Sequence, residues 1–278
     1  MKVNQLLASR GVRHVLYGAA LAVASSTSFA LPSFTITPAG ASTPLLGAPV
    51  TADNIIISDF STVRFTSPTS FTDTGYLAVQ SFQLGGTTVI AGGLNSTYGL
   101  YFQFSGAGML SGGNPALNVT SGNFTSLDYT LYGYNGPAAT FGFDGSDNPT
   151  VTGAAGAVAL AKGSLTPGSN QSSVGSSPQS PSFTSFAGAN LSFTPTAAGA
   201  GFFTSPKTFY NVAVSSFINS PTQVSPVAAG FASGFRIAQG GGSVNFAAPI
   251  PEPETYALLL AGLGAIGWVA RRRSSTSL

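Results

Sequence analysis

The chain has 278 residues, of which only 6% are charged, and its formal net charge is +2. It contains no cysteine and a single histidine, which excludes disulfides, cysteine nucleophiles and zinc sites built from these two residue types. Six of its ten basic residues lie near the two ends, so the middle of the chain has no basic patch for nucleic acid; the six are Lys2, Arg10, Arg13, Arg271, Arg272 and Arg273.

Residues 1–30 have the three parts of a secretory signal peptide. Three basic residues precede an apolar centre over residues 15–24, and small residues follow at Ser28 and Ala30. This spacing of small residues is the one that signal peptidase accepts. The sequence therefore predicts export, with a signal-peptide helix and cleavage after Ala30.

Residues 31–248 contain many short runs in which apolar and polar residues alternate, separated by Gly, Pro, Asn and Ser. Such alternation is typical of β-strands, and no long apolar stripe with helical periodicity interrupts it. We therefore predict an all-β fold, a single β-sandwich or jelly-roll-like domain. The predicted strands include 54–66, 75–83, 98–104, 117–124, 126–133, 140–143, 189–194, 208–217, 230–237 and 243–247.

One stretch of this body has a different composition. Residues 163–182 are rich in Ser, Gly and Pro and contain hardly any apolar residues. A segment with so little material for a core is typical of an exposed loop or linker. We expect a long loop here, within one domain rather than between two.

Two local features of the body have both a binding and a structural interpretation. Asp144 and Asp147 could contribute carboxylates to a calcium site, but their spacing matches no complete calcium loop and an Asp/Gly/Asn turn explains the same residues. Aromatic residues such as Tyr101, Tyr132 and Tyr134 could stack on sugar rings or pack across neighbouring strands.

Most catalytic chemistry is missing from the body. The only histidine, His14, leaves with the signal peptide, and no glutamate precedes Glu252, so histidine-based triads are excluded. A pair of aspartates could still hydrolyse a glycosidic bond, which keeps a hydrolase as an alternative. We expect a protein that is not an enzyme and has no cofactor.

Residues 249–273 combine an acidic proline-rich stretch, an apolar run and a cluster of arginines. The uncharged run 255–270 predicts a transmembrane helix about 24 Å long, slightly shorter than a ~30 Å hydrocarbon core. Arginine is costly in hydrocarbon and prefers the cytoplasmic side, so the cluster predicts a stop-transfer signal. The flanking residues are Pro251, Glu252, Pro253 and Glu254 before the run and Arg271, Arg272 and Arg273 after it.

The order of these elements resembles the PEP-CTERM sorting signal of Gram-negative bacteria. The resemblance implies that exosortase, a membrane-embedded transpeptidase-like enzyme, recognises the stretch from Pro251 to Glu254. It also implies transient insertion into the inner membrane, loss of the tail, and a mature protein at the cell surface or in the extracellular matrix.

Three segments of the body, 51–71, 97–108 and 201–217, resemble parts of the flocculation-associated PEP-CTERM proteins of floc-forming bacteria. Asp53 and Asn54 stand where those proteins usually have Asp-Lys. The resemblance implies retention of exopolysaccharide at the cell surface and growth as flocs, and we expect a role in flocculation or biofilm formation with exopolysaccharide or extracellular matrix as partner. Low charge weakens repulsion between copies, so we also expect self-association, helped by pairing of exposed strand edges. Alternatives are a lectin-like module with one defined carbohydrate or calcium site, and a structural coat subunit.

Overall fold

The computed structural model describes residues 31–111, 120–174, 185–206, 211–217 and 220–246. The predicted signal peptide and the predicted transmembrane helix over 255–270 lie outside these ranges. Inside them the regular structure is β-strand, apart from two 3₁₀ turns at Pro38–Gly40 and Pro221–Gln223. No helix within the described ranges has the length and apolar character needed to span a bilayer. The prediction of an all-β fold is confirmed.

Sixteen strands occur in the described residues. The two strands predicted at 117–124 and 126–133 correspond to one observed strand, β7. The strands are β1 (Phe34–Ile36), β2 (Val50–Ala52), β3 (Asn54–Ser67), β4 (Ser70–Leu84), β5 (Thr87–Val89), β6 (Tyr98–Ser111), β7 (Thr120–Asn135), β8 (Thr140–Phe143), β9 (Pro149–Thr152), β10 (Val158–Val174), β11 (Ser185–Ser192), β12 (Thr194–Pro195), β13 (Phe203–Ser205), β14 (Asn211–Phe217), β15 (Val224–Pro226) and β16 (Gly234–Phe246).

Eight of these strands form one closed, barrel-like sheet. Each pairs antiparallel with the next in the order β3, β4, β6, β7, β10, β11, β14 and β16, and β16 pairs back with β3. The predicted sandwich or jelly roll is wrong, because one sheet closed on itself replaces two stacked sheets. Alternating inward and outward side chains are common to both architectures, so the sequence pattern does not separate them.

The inside of the barrel is filled by apolar side chains from every one of its strands. An eight-stranded barrel has an interior just wide enough for side chains to fill it, and burial of this apolar surface is the main force that stabilises the fold. One buried representative from each strand, in barrel order, is Ile57, Leu77, Phe102, Leu131, Leu160, Leu191, Val212 and Val244.

A small sheet of three strands, in the order β13, β1, β2, covers one end of the barrel. Phe34 of β1 is 1% exposed. Its ring centroid lies 4.8 Å from that of Phe246 and 6.3 Å from that of Phe82, near the ends of β16 and β4. Phe203 of β13 lies 4.8 Å from Phe193, which follows β11. Aromatic edge-to-face contacts therefore join this sheet to the barrel core.

Residues 163–174 differ from the exposed loop predicted over 163–182. They continue β10, whose backbone pairs with β7 on one side and β11 on the other, for example at Ser173 with Ser121 and Phe186. Strand propensity depends strongly on context, and two neighbouring strands supply the partners that local sequence alone would not specify. Residues 175–184 lie outside the described ranges.

Gly75 of β4 makes room for its neighbour on β3. A Cβ atom at this position would lie 2.5 Å from both the Phe60 carbonyl oxygen and the Ser61 Cβ. We expect Gly75→Ala to lower the free energy of unfolding by about 1–3 kcal/mol, because overpacking shifts the backbone. Urea unfolding measures this change.

Gly142→Ala is the matched control, since its Cβ would meet nothing closer than Thr150 Oγ1 at 3.8 Å. Equal stability of the Gly75 and Gly142 variants would contradict the close approach of β3 and β4.

Candidate functional site

The residues that the sequence assigns to processing lie outside the described ranges. They are Ser28 and Ala30 at the predicted signal cleavage site, Pro251, Glu252, Pro253 and Glu254 of the predicted recognition stretch, and Arg271, Arg272 and Arg273 of the predicted stop-transfer cluster. The described structure therefore concerns the body of the protein.

A hairpin made of β8 and β9 lies over the outer face of the barrel. Phe141 of β8 stacks on Phe60 of β3, with ring centroids 5.4 Å apart and planes at 24°. The same ring lies 5.9 Å from Tyr76 of β4 and 5.9 Å from Tyr101 of β6. The Phe141 ring thus packs the hairpin against three neighbouring strands, β3, β4 and β6.

The three tyrosines singled out in the sequence pack against each other across strands. Tyr101 and Tyr134 are buried, at 6% and 2% exposure, and Tyr101 stacks on Tyr132 with centroids 5.3 Å apart. Burial, with neighbouring tyrosines as a further cause, raises the pKa of Tyr101 to about 12. The Tyr134 hydroxyl accepts a hydrogen bond of 2.7 Å from the Ala139 N–H. Cross-strand packing, rather than an open ring face, describes these side chains.

Asp144 holds together the turn that joins β8 and β9. Its Oδ1 accepts hydrogen bonds of 2.8 Å from the backbone N–H groups of Ser146 and Asn148, and its Oδ2 accepts one of 2.9 Å from the Asn148 side chain. These hydrogen bonds, above all that from the Asn148 side chain, lower the pKa of Asp144.

Asp147 attaches the same turn to the barrel. Its Oδ1 lies 3.0 Å from Arg236 Nη1 of β16, and its Oδ2 accepts a 2.6 Å hydrogen bond from the Ala228 N–H. Its backbone carbonyl accepts a hydrogen bond from the Thr62 hydroxyl at 2.7 Å. Arg64 of β3 donates a hydrogen bond to the Ser146 carbonyl at 2.6 Å.

The two candidate calcium ligands thus have structural roles: the Asp144 carboxylate stabilises the turn and the Asp147 carboxylate attaches it to the barrel. No cluster of three or more Asp, Glu, His or Cys side chains suited to a metal occurs among the described residues.

Sequence reasoning did not single out two aspartates that lie inside the barrel. Asp59 of β3 and Asp73 of β4 are 3% and 8% exposed, and Ser216 of β14 donates a 2.7 Å hydrogen bond to Asp59 Oδ2. The Oδ1 atoms of Asp59 and Asp73 and the Ser61 hydroxyl are buried without a hydrogen-bond partner in the described structure. The sequence does contain a pattern that indicates the burial of Asp59, because Asp59 and Ser61 continue the alternation that points Ile55 and Ile57 into the barrel.

Burial raises the pKa values of both carboxyl groups. It raises the pKa of Asp59 from 3.8 to about 6, and burial followed by the charge of Asp59 raises the pKa of Asp73 to about 8. The Ser61 hydroxyl is close enough to lower both pKa values, although it meets hydrogen-bond geometry with neither carboxylate. Burial therefore favours the protonated forms of both groups over two enclosed negative charges.

An open pocket of about 360 Å³ lies on the outer face of the barrel beside the β8–β9 hairpin. Its walls come from β3, β4, β6, β7, β8 and β16 and from the loops that lead into β6 and β8. None of the described residues that line it is charged; they include Phe60, Gln80, Asn95, Thr140, Phe141 and Gln239.

The buried acid pair makes stability depend on pH. Both folded-state pKa values lie above 3.8, so the folded protein binds more protons than the unfolded chain and its stability falls as pH rises from about 4 to about 8. We expect Asp73→Asn to raise the free energy of unfolding at pH 8 by roughly 2–4 kcal/mol and to flatten this slope.

Denaturant unfolding at pH 5 and pH 8 measures the effect, with Asp128→Asn on the exposed face of β7 as the control for loss of one aspartate. If the wild-type protein gained stability between pH 5 and pH 8, that result would contradict the raised pKa values of Asp59 and Asp73.

A family model described as the PEP-CTERM protein-sorting motif matches residues 249–273, the range in which the sequence predicts this signal. No curated protein and no solved structure shows significant similarity to the chain. The motif implies processing by exosortase during export and an extracellular or cell-surface location in Gram-negative bacteria. Membership of the flocculation-associated subfamily stays a prediction. The chain therefore carries a PEP-CTERM protein-sorting motif at residues 249–273.

Proposed function

We propose that this protein is a non-enzymatic component of the cell surface or matrix that supports flocculation or biofilm formation by binding exopolysaccharide. The observation that carries the proposal is a sorting motif joined to a barrel whose outer face carries few charges. Outward positions on β6 and β7 are mostly uncharged, and many have hydroxyl or amide side chains; examples are Gln103, Ser105, Thr125 and Ser126, with the exposed Asp128 as an exception.

Such a surface suits contact with a hydrated polymer. Hydroxyl and amide groups both donate and accept hydrogen bonds, as sugar hydroxyls do. Each contact is weak, but a polysaccharide presents the same groups many times, and linked weak contacts give avidity. The low charge of the chain reduces repulsion between neighbouring copies.

The same architecture limits how copies associate. Closure of the sheet leaves the eight barrel strands without a free edge, so the proposal relies on side-chain contacts and on polysaccharide bridges. Pairing of barrel strands between copies is not part of it.

The absence of enzymatic activity is part of the proposal. The two aspartates that influence each other electrostatically, Asp59 and Asp73, lie inside the barrel, where a glycosidic bond has no access. The segment 31–248 contains no histidine, cysteine or glutamate. These features support a binding role over hydrolysis.

Removal of the sorting motif tests both the sorting of the protein to the cell surface and its role in flocculation. We expect deletion of residues 251–278 to abolish display of the protein on the cell surface and to stop cell clumping. Immunodetection on intact cells and sedimentation of the culture measure the two effects. Deletion of residues 274–278 alone leaves the matched motif intact and serves as the control.

The two readouts separate the two claims. Surface display without the motif would overturn exosortase-dependent sorting. Loss of display with unchanged clumping would overturn the role in flocculation and leave the sorting assignment in place.

A further inference from the structure

The pocket beside the β8–β9 hairpin is shaped by irregularities on both neighbours of β3. On one side Ile57 pairs with Val79 and Ile56 with Ser81, which makes Gln80 an extra residue in β4. On the other side Phe60 pairs with Ala238 and Asp59 with Gly240, which makes Gln239 an extra residue in β16. Such β-bulges re-aim side chains and are over-represented next to active sites.

Left-handed backbone conformations occur at Gln239 itself and at Asn95, whose side chain contacts the bulge at Gln80. Asn95 and Gln239 have φ values of 60° and 61°, in the left-handed region that residues other than glycine seldom adopt. The Asn95 side chain donates to the Val79 and Gln80 carbonyls at 3.0 and 3.4 Å. The Gln223 side chain donates to the Gln239 carbonyl at 2.5 Å. Neighbouring amides therefore fix the backbone at both bulges.

The two glutamine side chains at these bulges form no hydrogen bonds with the described part of the protein. Gln80 and Gln239 are exposed, and neither side-chain amide has a hydrogen-bond partner among the described residues. Beside them lie the half-buried rings of Phe60 and Phe141 and the exposed Thr140. The site thus combines free amide groups with an apolar ring surface.

The geometry points to a binding site for a neutral sugar residue of a polysaccharide, held between the Gln80 and Gln239 amides and the rings of Phe60 and Phe141. Amide groups match the donors and acceptors of sugar hydroxyls, and the apolar surface that the mutually stacked, half-buried Phe60 and Phe141 rings leave exposed suits the C–H groups of a sugar ring. A volume of about 360 Å³ lies at the small end of ligand pockets. The lack of a lining cation disfavours acidic sugars. This inference rests on the proposed association with exopolysaccharide.

Binding of oligosaccharides tests the site. Partial acid hydrolysis of the producing cells' exopolysaccharide gives a neutral and an acidic fraction, and each is titrated calorimetrically against the exported protein purified from those cells. We expect saturable binding of the neutral fraction, and a weakening of roughly 2- to 10-fold for each of Gln80→Ala and Gln239→Gly, the size expected for loss of one hydrogen bond. Glycine at position 239 retains the left-handed backbone.

Thr87→Ala removes an exposed polar side chain from β5, which is not one of the eight barrel strands and does not line the pocket, and is expected to bind like the wild type. The inference is overturned if the neutral fraction shows no saturable binding, or if Gln80→Ala and Gln239→Gly bind like Thr87→Ala.

Co-sedimentation with intact exopolysaccharide distinguishes failure of the pocket assignment from failure of the proposed function. If the wild type sediments with the polymer and both pocket variants bind oligosaccharide normally, the pocket assignment fails and the proposed function stands. If the wild type does not sediment with the polymer, the proposed function fails, whatever the pocket binds.

Discussion

Pairing of β16 with β3 is the interaction on which the rest of the structure depends. It runs from Gly234 opposite Arg64 to Val244 opposite Ile55, and it turns a row of hairpins into a closed sheet. Closure satisfies the backbone hydrogen bonds of both outermost strands and encloses the apolar side chains. The pocket depends on this pairing as well, because the bulge that presents Gln239 lies within it.

The interior combines tight packing with an unusual pair of acids. Gly75 lets β3 and β4 approach closely around Ser61, and Asp59 and Asp73 are enclosed in the same region, where burial favours their neutral forms. Polar side chains left without partners in a core reduce stability. The barrel tolerates this cost because apolar burial from all eight strands outweighs it.

The sequence predicted the strands better than their assembly. Alternation placed β3 almost residue for residue, and the tail motif was recognisable from the order of prolines, acids and arginines. Closure was not predictable, because it depends on contact between Ile55 and Val244, which are far apart in the chain. The strand over 163–174 was missed because its partners lie elsewhere in the sequence. Gln80 and Gln239 were overlooked because a bulge is a property of paired strands and not of either strand alone.

The seam between the first and last barrel strands also sets the timing of folding. A chain exported from its amino end delivers β3 early and β16 late, and β16 ends at Phe246, just before the sorting motif at 249–273. Until β16 has crossed, β3 and β14 each lack one neighbour, and such non-local pairing is slow to form. The barrel can therefore close only after β16 has been exported, and a chain that ends before β16 would leave β3 and β14 each with an unpaired edge.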